Sequence, residues 1–240
     1  MFFSGWVKVH GMLGQLELFP GMQAAAKPRR ESAPAKSEPR GRREISDRLM
    51  LMVLLEPTPA QLSARIARSH DVDRRMGARM VRPDKLHVSL WMLRQIWGLP
   101  DGAAFPEEWV QRGREIGDQV RAGPFSATFD NAVSFANSRS DKPYVLRGDS
   151  SGVEGFRTIH RDIARAITGG LDIAPPPFMP HVTLSYGLER PSIGVAPVSW
   201  LVRDFALVHS LVGRGVYRVL QRWRLEEGGA VRVLDGMVRS

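Results

Sequence analysis

Two four-residue runs of one pattern constrain this 240-residue chain more than any other feature: His87-Val88-Ser89-Leu90 and His181-Val182-Thr183-Leu184. Each reads histidine, apolar, hydroxyl, apolar. Alternation of period two is a strand signal, because successive side chains of a strand point to opposite faces. Val88 and Leu90 therefore project to one side, and His87 and Ser89 to the other. The second run divides in the same way. A fold that buries both apolar pairs leaves one imidazole and one hydroxyl from each run on the opposite face. If those faces meet, two imidazoles and two hydroxyls converge on a single polar site.

The rest of the chain reads as strands and helices arranged around these runs. Arg48–Leu55 is a nearly continuous apolar stretch that predicts a buried strand, followed by a helix over 60–76. The first motif strand covers 85–93. A Gly/Pro/Asp loop then leads to a helix over 106–121, with Pro106 in its first turn. Strands are expected at 125–136 and 143–147. Residues 152–168 predict an amphipathic helix with Val153, Phe156, Ile159, Ile163 and Ile167 on one face, stopped by Gly169-Gly170. Pro175-Pro176-Pro177 turns the chain into the second motif strand, and further strands are expected at 200–210, 216–225 and 231–234. The two histidines stand 94 positions apart, and each motif follows a helix. The expected fold is α+β: two pseudo-symmetric lobes, each an antiparallel sheet backed by helices, with a central cleft carrying both motifs.

Composition narrows the functional classes. The chain has no cysteine, which excludes disulfides, thiolate metal sites and cysteine nucleophiles. No apolar run is long enough to span a membrane, and the N-terminus does not read as a signal peptide, so a soluble cytoplasmic protein is expected. The net charge of +9 suits a polyanion such as RNA. Four of those nine charges come from residues 1–46, which hold eight Lys/Arg and four Glu. The stretch from 22 to 44 is rich in Ala, Pro, Ser, Lys and Arg and reads as disordered. Residues 12–20 read as part of an unstructured leader. The organisation expected is therefore a basic, disordered extension over 1–46 and a bilobal domain over 47–240.

Paired His-apolar-(Ser/Thr)-apolar strands at this spacing resemble the two-histidine (2H) phosphoesterases, and within them the 2′–5′ RNA ligase / RNA 2′,3′-cyclic phosphodiesterase branch. The run-ins Pro83-Asp-Lys-Leu86 and Phe178-Met-Pro180 share the likeness. So do Asp204-Phe-Ala-Leu-Val208 with Ser210, and Tyr217-Arg-Val-Leu220. The likeness covers about 47–226. Ser89 stands where threonine is usual, which keeps the hydroxyl. Ser185-Tyr186 stands where RNA-directed members often place a basic residue.

The resemblance implies a cofactor-free phosphodiesterase that hydrolyses RNA 2′,3′-cyclic phosphate ends to 2′-phosphates, with reversible 2′–5′ ligation as a second activity. The residue types suit that chemistry. Histidine titrates near neutrality, so one ring can act as base while its partner acts as acid. The hydroxyls of Ser89 and Thr183 can donate to the phosphoryl oxygens as charge builds there. His87 is assigned as general acid and His181 as general base, with the reverse open. No metal is expected, because hydroxyls occupy positions where zinc would require further ligands. Ser89 lacks the turn of a hydrolase nucleophile. Phe178 and Tyr186 are candidates to stack on a base, and Arg94, Arg139 and Lys142 to meet outlying phosphates, whereas Trp91 reads as core. His160 reads as a surface or boundary residue and His209 as a packed strand residue. Two other functions fit the same residues: this chemistry on a small cyclic nucleotide or 2′–5′ oligonucleotide, and RNA binding without turnover. A monomer is expected by analogy with other small enzymes.

Overall fold

The computed structural model describes residues 46–56, 58–60, 62, 77–135, 142–149, 151–171, 173–187 and 189–234. The N-terminal segment, nearly all of the helix expected over 60–76, and Arg139 lie outside these residues.

The apolar stretch after Asp47 forms β1 (Ser46–Leu54), which is buried along most of its length because it lies between two other strands. The chain continues through β2 (Arg79–Met80), a single 3-10 turn at Pro83–Lys85, β3 (His87–Trp97) and helix α1 (Glu107–Gly117). Next come β4 (Phe125–Ser134), β5 (Lys142–Arg147) and helix α2 (Glu154–Ile167). The last strands are β6 (His181–Gly187), β7 (Ile193–Val202), β8 (Asp204–Val212), β9 (Val216–Leu225) and β10 (Val231–Val233). Every pairing is antiparallel. The class is α+β, as expected.

The sheet differs from expectation in one respect. In place of two separate sheets, the strands join in a single ten-stranded sheet ordered β10-β9-β8-β1-β3-β6-β5-β4-β7, with β2 also paired to β6. The halves meet where the motif strands pair, Val88 opposite Val182. A second correction concerns 200–210. That stretch is the end of β7 and most of β8, separated at Arg203.

These two helices lie on one face. α1 packs on β1, β3, β8 and β9, and α2 on β3 and β4. The apolar stripe of α2 is buried as its spacing predicts, with Phe156, Ile159 and Ile163 fully excluded from water. Each such side chain contributes about 1.5–3 kcal/mol by burial. Gly169 and Gly170, both at positive φ, end the helix. The opposite face of the sheet carries a smaller cluster, Met52, Leu54, Ala206, Val208 and Val219, flanked by Met50 and Tyr217. No described helix is long and apolar enough to cross a membrane.

Candidate active site

Each motif keeps the strand alternation for three residues and then breaks it. On β3, Met52 of β1 pairs with Ser89 and Leu51 with Trp91, so Leu90 is an extra residue in the ladder. On β6, Val145 of β5 pairs with Thr183 and Tyr144 with Ser185, so Leu184 is the extra residue. The same bulge thus falls at the fourth position of both motifs. A bulge reverses which side chains face which way. Val88, Leu90 and Trp91 are all buried on the helix side, as are Val182, Leu184 and Ser185. His87, Ser89, His181 and Thr183 stand on the other face, each half-buried.

The antiparallel register centred on Val88 and Val182 sets position 87 level with 183 and position 89 level with 181. The imidazoles therefore lie on a diagonal, each beside the other strand's hydroxyl. They are close enough for the charge of His181 to lower the pKa of His87.

Both rings are oriented in one way. His87 Nδ1 donates to the Lys85 carbonyl at 2.9 Å, and His181 Nδ1 to the Met179 carbonyl at 2.8 Å. In each case the acceptor lies two residues upstream, in the run-in to the motif. A proton held on Nδ1 leaves the Nε2 lone pair for chemistry. Ser89 Oγ donates to His87 Nε2 at 3.1 Å. Among the described residues, neither His181 Nε2 nor the Thr183 hydroxyl has a protein partner.

Aromatic rings buttress both histidines. Tyr217 meets His87 edge-on at 5.5 Å, and its hydroxyl lies 3.2 Å from Nδ1, accepting a longer branch of the same N–H. Phe135 meets His181 edge-on at 4.8 Å, without a hydroxyl. Burial lowers the pKa of both histidines, and the backbone carbonyl bonds only partly oppose it. Burial raises the Tyr217 phenol, which therefore stays protonated.

The residues singled out for substrate contact are placed unequally. Tyr186 pairs with Pro143 and Arg79, shares the face of the histidines, and has the Arg79 guanidinium 5.1 Å from its ring centre. Arg94 lies on the helix side. A second bulge, at Leu93, pairs it with buried Leu49, and its guanidinium lies 4.8 Å over Trp109 of α1. Phe178 stacks on His160 at 4.2 Å, nearly parallel, and Trp91 covers the same imidazole at 4.8 Å. His160 is thus buried rather than at a surface or boundary, and burial pushes its pKa down to about 4. Lys142 begins β5 opposite Gly187. His209 is buried as a packed strand residue, 2.7 Å from Asp47. Tyr217, Phe135 and Arg147 are not legible as site residues in the sequence, because each reaches the site through long-range strand pairing. Among the described residues, no cluster of three or more His, Asp or Glu side chains is set to hold a metal ion.

No family model and no curated protein matches the sequence. Solved structures do match. TT0787 of Thermus thermophilus is 26% identical at a TM-score of 0.54, over 75% of this chain and 99% of that one. A phosphoesterase is 24% identical at a TM-score of 0.56, over 75% of this chain and 99% of that one. The chain has the fold of the two-histidine phosphoesterases. Within that class it shares its fold with E. coli LigT complexed with 3′-AMP, at 24% identity and a TM-score of 0.55, over 75% of this chain and 98% of that one.

Proposed function

We propose that this chain is a metal-independent phosphodiesterase that opens RNA 2′,3′-cyclic phosphate ends to 2′-phosphates. The observation that carries this reading is the pair of imidazoles on one sheet face, each with Nδ1 fixed by a carbonyl and Nε2 turned to the site. Ligands in the related fold support a nucleotide substrate: LigT has been crystallised with 3′-AMP, with NADP+ and with ATP. The matched bulges at Leu90 and Leu184 support the reading of two pseudo-symmetric lobes with a cleft between them.

In the forward reaction, one Nε2 takes a proton from water as its oxygen attacks phosphorus. The P–O3′ bond breaks, and the second imidazolium delivers its Nε2 proton to O3′. Ser89 and Thr183 donate to the phosphoryl oxygens as negative charge accumulates there. Burial disfavours a proton on either ring, and charge on one imidazole disfavours charge on the other. The pair therefore suits one imidazolium beside one neutral imidazole, with His87 as acid and His181 as base as assigned from the sequence and the reverse equally compatible. In ligation the roles exchange.

The test is a short RNA ending in a 2′,3′-cyclic phosphate, incubated in excess EDTA with wild type, His87→Ala and His181→Ala. Wild type is expected to form the 2′-phosphate, and each variant to lose about 10²–10⁴-fold in rate. No turnover by wild type on RNA or on a mononucleoside cyclic phosphate rejects the reading and leaves nucleic-acid binding without catalysis.

A further inference from the structure

Arg147, the last residue of β5, pairs with His181 across the ladder, and Asn131 of β4 pairs with Arg147. Paired residues share a sheet face. Arg147 and Asn131 therefore stand on the face that carries both imidazoles. Because β5 lies on the far side of β6 from β3, Arg147 flanks His181 on the side away from His87.

The guanidinium is oriented there by uncharged partners among the described residues. Nε donates to Asn131 Oδ1 at 3.4 Å, and Nη1 to the Met179 thioether at 3.5 Å. Asn131 Oδ1 is held in turn by the Ser192 hydroxyl at 3.1 Å. The bond to Asn131 is long, the thioether is a weak acceptor, and both acceptors are uncharged. Among the described residues no carboxylate pairs with Arg147, in contrast to Arg114, Arg161 and Arg222, each bonded to Asp or Glu. Guanidinium has five N–H donors in a planar fork, so among the described residues most of its capacity is unused. A fixed, uncompensated fork beside a reactive imidazole suits a bidentate oxyanion.

We propose that Arg147 forms a second anion subsite, for a phosphate that does not react: the neighbouring phosphate of a nucleotide whose reacting phosphate lies between His87 and His181. The location of the reacting group rests on the phosphodiesterase reading. The Leu184 bulge buries Ser185, so the cation on this flank of His181 comes from the adjacent strand, as Arg147.

Calorimetric titration of the full chain with adenosine 2′-phosphate and adenosine 2′,5′-bisphosphate tests this directly. Wild type is expected to bind the bisphosphate about tenfold more tightly than the monophosphate, an advantage that shrinks at high salt. Arg147→Gln should erase the advantage, and Arg147→Lys should keep part of it. Failure of wild type to discriminate, including failure to bind either ligand, overturns the proposal. So does an undiminished advantage in Arg147→Gln. Cyclic-phosphate turnover in the same wild-type preparation is scored separately. Its absence alongside an Arg147-dependent preference rejects the phosphodiesterase and leaves the subsite, and turnover without the preference does the reverse.

Discussion

At the scale of single residues, the site is defined by what burial does to two imidazoles. Burial is the largest influence on both His87 and His181, and it lowers each below the ordinary histidine value of 6.5. A lowered pKa means that the proton is lost earlier as pH rises, so both rings are neutral at pH 7. Acid–base catalysis needs one neutral and one protonated ring, and that combination is most populated between the two lowered values. The profile of kcat/KM, which reports the free enzyme, is therefore expected to peak on the acid side of pH 6.5 and to fall through neutrality as the acid loses its proton. A profile that rises from pH 6.5 to 8 contradicts the assignment. Tyr217 stays protonated throughout, so it holds His87 without adding a limb to the curve. His160, on the helix side between Trp91 and Phe178, is a bystander to this chemistry.

At the scale of elements, α1 approaches the sheet through two glycines one turn apart. A methyl group at Gly113 would meet the Leu207 methyls at 2.8 and 3.0 Å and a Leu93 methyl at 3.0 Å, the ends of flexible side chains that yield more easily than a ring. One at Gly117 would meet the indole of Trp223, which is fully buried, stacked on Phe205, and tied by Nε1 to Asp118 Oδ1 at 2.7 Å. Alanine favours a helix over glycine by about 0.8–1 kcal/mol, but overpacking against a fixed ring costs about 1–3 kcal/mol. Gly117→Ala is therefore expected to lower the urea midpoint more than Gly113→Ala, and the opposite order would contradict this packing. Elements with strong periodicity were legible in the sequence. Val153, Phe156, Ile159, Ile163 and Ile167 mark α2, and the alternation of both motifs marks β3 and β6. β7 was not legible, because it is an edge strand, largely exposed, with Gly194 and Pro197 inside it. The bulges were equally hidden. Nothing about leucine at 90 or 184 announces an unpaired residue, yet the one at 184 turns Ser185 inward, and a further bulge at Leu93 turns Arg94 toward α1. Arg147 becomes a neighbour of His181 only through the register of β5 on β6.

At the scale of the whole molecule, the described sheet is continuous, but the two motif strands pair through one residue on each side, Val88 and Val182, with the short β2 also paired to β6. Each motif strand contributes one histidine, so the spacing of the imidazoles depends on this joint. Both valines are fully buried. Truncating either to alanine removes two buried methyl groups, at a cost of about 2 kcal/mol with the cavity included. Because the two side chains are direct neighbours, the double variant should depart from additivity as the shared space collapses. The functional consequence separates the joint from ordinary core. Val120 is equally buried but lies beyond the end of α1, outside the motif strands. Val120→Ala is expected to lose comparable stability with little change in turnover at temperatures where it remains folded. Val88→Ala with Val182→Ala should lower kcat/KM under the same conditions, because a collapsed joint displaces one imidazole from the other. If the double variant, like Val120→Ala, loses activity only in proportion to the fraction unfolded, the joint is core like any other. The geometry of the site would then be held by the outer strands, β1 against β3 and β5 against β6.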